Sequence, residues 1–246
     1  MLTDLNIIQW ILIAFCAFIF GVSKAGVKGI AIVAIPLMAI AFGGKASTGI
    51  VLPFFIMGDI LAVYYYKKHA NWHVLIRLLP WVFIGILFGV WFGEDLPEAS
   101  FKKAMAMIIL SSVFVMVWWD RQKVKKVPHH WPFKMLMGLL VGFTTMVGNL
   151  AGGFANIFFL TMRFDKNTFI GTAAWLFFAG NLFKLPFHIF VWETISWHTA
   201  QLNFALLPVL LLGFVLGIRI VKIINERLFR MLILVMTAIG ALILFF

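Results

Sequence analysis

The sequence predicts an all-α integral membrane protein made of two inverted-topology repeats. Each repeat has about five helical segments, roughly eight to ten in all, and opens on a glycine-broken or re-entrant helix. Three observations predict this: an apolar composition, apolar runs recurring along the whole length, and an ordered set of matches between the two halves.

Of the 246 residues, 63% are hydrophobic and only 12% are charged, and the mean hydropathy is +1.05. A soluble domain cannot hide that much apolar surface. No stretch is long and polar enough for a separate soluble domain. The net charge of +11 does not point to nucleic acid, because the lysines and arginines sit mainly in short gaps between apolar runs. That is the positive-inside pattern, and it also attracts anionic lipid headgroups. The one cysteine, Cys16, lies inside an apolar run, which leaves no disulfide framework or metal cluster. The N-terminal MLTDLN lacks the basic region of a secretory signal, so the first apolar run reads as a retained membrane segment.

The apolar segments of the first half are 7–22, 29–42, 47–66, 73–93 and 99–118. Those of the second are 134–147, 151–162, 167–192, 199–221 and 227–245. This divides the chain into a first repeat (1–118), a basic cytoplasmic linker (119–133) and a second repeat (134–246). A perpendicular span needs about 20 residues. The pairs 7–22/29–42 and 134–147/151–162 are too short for two comfortable spans, and read as tilted short spans, broken helices or re-entrant hairpins. Charge sets the topology. The gap after residue 118 (DRQKVKKVPHHWPFK), KKHANW at 67–72, RFDK at 163–166 and the stretch from Lys222 to Arg230 are basic and fall inside. EDLPE at 94–98 and the gap around Glu193 fall outside. Lys45 is the exception to this parity. Tryptophans cluster near segment ends (Trp10, Trp72, Trp118, Trp119, Trp131, Trp192, Trp197), which suits interfacial anchoring.

The halves match in order. Pro80, Gly85 and Gly89 recur as Pro208, Gly213 and Gly217, and Trp72-His73 recurs as Trp197-His198. Gly49, Gly58 and Asp59 correspond to Gly171, Gly180 and Asn181, and Gly26 falls opposite Gly148. An odd number of segments per half makes the second half cross in the opposite sense, the plan of many secondary transporters. The interruptions GVSKAGVKG and VGNLAGG then enter from opposite faces and meet near the midplane.

The stretches GVSKAGVKGIAIVAIPLM, GDILAVYYYKKHANW, LLPWVFIGILFG and GNLFKLPFHIF resemble the TauE/SafE family, the sulfite exporter family of membrane anion transporters. The resemblance covers almost the whole chain, though VGNLAGG lacks the lysines of the first glycine entry. It implies a multi-pass protein of the bacterial cytoplasmic membrane that moves sulfite, organosulfonates or related sulfur oxyanions. Its expected partners are that anion and membrane lipid, with no cofactor and no nucleic acid; a homodimer is left open.

A charge inside a membrane segment costs about 2.5–3.5 kcal/mol on insertion scales, so each such residue is a site candidate. With a helix starting near Ala25, Lys28 falls in its first turn. Lys24, Lys28 and the backbone around Gly26 then form an oxyanion cradle, because glycine permits close approach and helix starts present N–H donors. The competing reading is a cytoplasmic turn with both lysines snorkelling to headgroups. In the second interruption, Gly148, Asn149 and Asn156 are the candidates. The two amides are seven apart, so one helical face carries both, and each can hydrogen-bond an oxyanion; helix packing by small residues is the alternative. Asn181, Lys184 and His188 share a face by their spacing. Lys184 either neutralises the anion, pairs with Asp59 or snorkels outward, and His188 reads as structural or interfacial. Asp59 either carries a coupling proton or locks one of the lysines in an ion pair. The reading is therefore a secondary anion transporter working by alternating access, proton-linked or downhill, with a passive anion channel as the alternative. An intramembrane enzyme is disfavoured, since no HExxH pair or nucleophile elbow is present.

Overall fold

The computed structural model describes residues 5–27, 29–120, 130–225, 227–229, 231–232 and 235. Among them every regular element is helical: α1 (Ile7–Lys24), α2 (Ala31–Phe42), α3 (Gly44–Tyr66), α4 (Trp72–Glu94), α5 (Glu98–Asp120), α6 (Trp131–Gly148), α7 (Ala151–Thr161), α8 (Lys166–Phe190), α9 (Trp197–Ala205) and α10 (Leu207–Ile223). Five helices are long and apolar enough to cross a membrane: α1, α3 with the short turn that extends it to His69, α4, α6 and α8. The pair α9–α10, bent by 49° at its break, is together long and apolar enough to be either a sixth, broken span or a re-entrant loop. The segment 227–245 lies almost wholly outside the described residues, as do 121–129 of the basic linker.

The short pairs α1–α2 and α6–α7 are helical hairpins. Cys16 on α1 directs its thiol to the Ala34 carbonyl on α2 at 3.8 Å, across a sequence separation of 18. In one straight helix these residues would lie about 27 Å apart. Phe133 and Phe158 likewise stack across α6 and α7, with centroids 6.0 Å apart. Local chemistry makes the tips. Gly26 (φ +123°) and Gly29 (φ +93°) break the first, and the Tyr66 hydroxyl donates to the buried Ala25 carbonyl at 2.8 Å. Asn149 ends α6 in the left-handed region (φ 58°), which asparagine tolerates better than most residues. The Leu150 N–H closes that tip on the Thr144 carbonyl.

Contacts gather the basic gaps at one end of the bundle. Lys166 donates to the Val221 and Ile224 carbonyls, the Asn71 N–H donates to Thr172, and Trp81 lies 6.3 Å from Trp131. The acidic gaps gather at the other end, where Trp192 packs on Phe101 and Gly93. Lys45, the exception to the charge parity, sits at this acidic end and donates to the Glu94 backbone carbonyl. Trp192 is buried there rather than anchored in the interface, whereas Trp72, Trp131 and Trp197 are exposed.

The matched glycines occupy corresponding crossings. α1 packs along α10, and α6 packs along α4. At Gly85 an added Cβ would strike the Leu139 carbonyl of α6, and at Gly213 the Phe18 carbonyl of α1. Gly49 is pressed by the Thr194 backbone just beyond α8, and Gly171 by the Tyr66–His69 backbone just beyond α3. Asp59 and Asn181, matched in sequence, touch each other directly across α3 and α8.

Candidate functional site

Both hairpin tips stop short of the helix ends they approach and face the same two helices, α3 and α8. Lys24 ends α1 beside Asp59, and about 11 Å of α3 separates Asp59 from the end at Tyr66. Asn149 meets Thr48 on α3 and Lys184 on α8, and about 9 Å of α8 separates Lys184 from Phe190.

The first tip is held by charge. Lys24 Nζ lies 2.6 Å from Asp59 Oδ1, and Asn181 Nδ2 donates to Asp59 Oδ2 at 2.6 Å. The ammonium also sits 4.3 Å from the Phe55 ring centroid and 5.2 Å from that of Phe177, a cation–π geometry. Phe55, Gly58 and Asp59 share one face of α3 by their i, i+3, i+4 spacing. Gly58 opens the slot for the lysine stem, because a Cβ there would lie 2.7 Å from Lys24 Cγ.

The second tip is held by hydrogen bonds. Lys184 Nζ donates to the Thr145 carbonyl at 2.9 Å, to Thr145 Oγ1 at 3.2 Å and to Asn149 Oδ1. Three acceptors suit an ammonium, which has three donors and no lone pair. Asn149 Nδ2 donates to the Thr48 carbonyl at 3.0 Å. Lys24, Asp59 and Lys184 in their charged forms leave one net positive charge in the buried core.

Between the tips lies a cavity of about 50 Å³, room for about three or four waters or one small oxyanion. Lys24, Asn149, Asn156 and Asn181 line it, together with Phe55, Thr145 and Phe177. The first turns of α2 and α7 also face it, through Ala31 and Ile32 and through Ala151 and Gly152. Such first turns lie at the positive end of the helix dipole and carry amide donors without an intrahelical acceptor, although the Ile32 N–H is already taken by the Gly29 carbonyl. Gly152 has nothing within 4 Å of where a Cβ would stand. Asn156 is 1% exposed, and among the described residues neither its Nδ2 nor its Oδ1 has a hydrogen-bond partner.

The sequence-derived candidates separate on this geometry. Lys24, Asn149, Asn156 and Asn181 reach the cavity. Lys184 stands behind it, touching the lining residues Thr145 and Asn149. Gly26 packs on Ile170 and Val221, and Gly148 on Leu150 and Met105, so both shape tips rather than line the cavity. Lys28 lies outside the described residues. Asp59 makes the ion pair anticipated as one of its two readings, with Lys24 as partner. Lys184 takes neither the Asp59 pair nor the snorkelling path. No helix starts at Ala25: α1 continues through Lys24 and the next helix starts at Ala31. Asn149 and Asn156 do not share a helical face, because the break at 149–150 separates them; the tip brings both to the cavity instead. His188 is fully buried against Trp192, with Nδ1 2.8 Å from Thr194 Oγ1. Phe55, Phe177 and Thr145 were missed. Spacing from Asp59 could have flagged Phe55, and one helical turn before Asn149 could have flagged Thr145.

An all-helical bundle with helices long and apolar enough to span, and two hairpin tips meeting at a buried polar site, is the architecture of a multi-pass membrane protein. The model of the sulfite exporter TauE/SafE family matches residues 11–244. The chain belongs to that family, whose members are membrane exporters of sulfite and related sulfur anions. Comparison with curated proteins and with solved structures gives no significant match.

Proposed function

We propose that the protein is a secondary transporter of the bacterial cytoplasmic membrane. It moves a small sulfur oxyanion, sulfite or an organosulfonate, by alternating access between two inverted repeats, linked to protons through Asp59. The observation that carries this reading is the small cavity between the two tips, into which Asn156 turns an amide with no protein partner. The lining offers amide donors, two helix first turns and one lysine, so the ligand it favours is an anion. The mirrored crossings of α1 on α10 and α6 on α4 support the two-repeat plan.

In this reading the anion meets Lys24, Asn156, Asn149, Asn181 and the first turns of α2 and α7, while Lys184 holds Asn149 in place. An anion at Lys24 competes with Asp59 for the ammonium, and a proton on Asp59 relieves that competition. The test is flux in proteoliposomes with sulfite, sulfoacetate, thiosulfate and sulfate, with and without a pH gradient. Lack of flux for every sulfur anion defeats the reading. Channel-like rates without any response to the gradient favour the passive channel. Asp59→Asn is expected to abolish pH-driven accumulation while sparing downhill exchange; intact proton coupling in that variant removes Asp59 from the mechanism.

A further inference from the structure

A second polar cavity lies on the outside of the bundle at its basic end, between the starts of α4 and α6. It has a volume of about 260 Å³ and is lined by Ile76, Arg77, Pro80, Trp81, Trp131 and Lys134. Lys134 is only 9% exposed, yet among the described residues neither it nor Arg77 has an ion pair or hydrogen bond to its side chain. Two cations without a counter-ion among the described residues, one of them nine-tenths buried, place positive charge at the cavity. The two tryptophans, 6.3 Å apart, are the side chains that favour the headgroup level of a bilayer.

The same face of α4 continues as an apolar groove. Ile84, Leu87, Phe88 and Trp91 line it, and these side chains are exposed. They follow Ile76 and Pro80 at helical spacing, so they form one stripe. About 16 Å of helix separates Arg77 from Phe88, which matches one leaflet of a hydrocarbon core about 30 Å thick.

We infer that this surface binds one phospholipid with a net negative headgroup. Arg77 and Lys134 hold its phosphodiester, and an acyl chain runs along Ile84, Leu87 and Phe88. The guanidinium offers a planar fork to two phosphate oxygens, and the ammonium offers a point charge from the other side. Charge complementarity favours an anionic over a zwitterionic lipid, and the apolar stripe favours a lipid over free phosphate. The bound lipid bridges α4 of the first repeat to α6, the helix that carries Thr145 and the Asn149 tip. It is therefore a clamp across a close crossing between the repeats, where Gly138 lies against Trp81 and Gly142 against the Val82 carbonyl. This inference does not depend on the identity of the transported anion.

The test uses the full-length protein in detergent, with lipid binding read by native mass spectrometry and by thermal unfolding. Three additions are compared: an anionic phosphatidylglycerol, a phosphatidylcholine with the same acyl chains, and inorganic phosphate. Expected results are a tightly held anionic lipid and a Tm rise specific to it. Arg77→Gln, at an exposed position, should weaken that lipid about tenfold, and Arg77→Gln/Lys134→Gln should abolish the specific Tm rise. If the double variant does not fold, the single variant and the lipid preference of the unaltered protein decide. Equal binding of the zwitterionic lipid, an undiminished anionic shift in Arg77→Gln, or an equal Tm rise from inorganic phosphate alone overturns the proposal.

Discussion

Asn156→Leu separates a ligand-binding amide from a packing one. The Asn156 side chain is buried, and among the described residues both its polar atoms lack a partner. Burying an unsatisfied amide costs about 1–3 kcal/mol on mutational scales. Leucine has the same branched skeleton and no polar atoms, and the adjoining cavity can take its extra bulk, so the variant is expected to hold or gain stability. The bound state behaves oppositely. A hydrogen bond from a neutral donor to a charged ligand contributes about 1.5–3 kcal/mol, so its loss weakens anion affinity about 10- to 150-fold. The assay is thermal unfolding of the detergent-solubilised protein, with and without a sulfite titration, followed by the flux panel on the same preparation. The expected outcome is an equal or higher Tm without anion and a much smaller shift with it. A clearly lowered Tm with unchanged affinity would refute the reasoning, because it would make Asn156 a packing residue.

Lys184→Met removes the donor to Thr145 and Asn149 and strands their acceptors. Leaving buried neutral acceptors unsatisfied costs about 1–3 kcal/mol, so both Tm and sulfite affinity should fall; wild-type affinity in a folded variant would detach Lys184 from the site. At the acidic end, Glu98 accepts from the Gly44 and Lys45 N–H groups at the start of α3. Burial alone would push its carboxyl up, but those amides and the nearby Lys102 together hold it below the ordinary carboxylate range. A depressed carboxylate contributes stability above its unfolded pKa and loses it as pH falls through the folded one. Unfolding should therefore become easier in acid below the usual glutamate range, and Glu98→Gln should flatten that part of the Tm–pH profile; an unchanged profile would show that the cap contributes nothing.

Much of the fold was legible because membrane helices are written in long apolar runs bounded by charge and glycine. α4, α7 and α10 begin or end within a few residues of their apolar segments. The start of α3 was not legible: apolar patterning begins it near residue 47, but Glu98 from a distant segment caps it at Gly44. The fold-back of the two hairpins was left open for a similar reason. Length distinguishes a full span from a short one but not a bend from a hairpin, and the deciding contacts, Cys16 to Ala34 and Phe133 to Phe158, are between residues far apart in the chain. At the site, intramembrane polarity singled out Lys24, Asp59, Asn149, Asn156, Asn181 and Lys184. Which lysine takes Asp59 depends on the depth of each tip along α3 and α8. One sequence contains no measure of that depth.

The arrangement around Asp59 links proton and anion in a way that can be measured without any gradient. Both carboxylate oxygens are engaged, one by Lys24 and one by Asn181. An anion that draws on the Lys24 ammonium takes away the charge that compensates Asp59, in a span where an isolated charge costs about 2.5–3.5 kcal/mol. Taking up a proton removes that cost. Linkage then requires reciprocity: if protonation of Asp59 tightens anion binding by some factor, anion binding favours protonation by the same factor. Adding sulfite to the detergent-solubilised protein in weak buffer should therefore draw protons from solution beyond those exchanged by the anion itself. Sulfoacetate provides the control for that exchange, and Asp59→Asn should show no excess uptake. If the unaltered protein binds the anion tightly with no excess uptake, Lys24 and Asp59 stay paired around the ligand. The pair is then a structural lock on the first tip, and the anion moves without a proton.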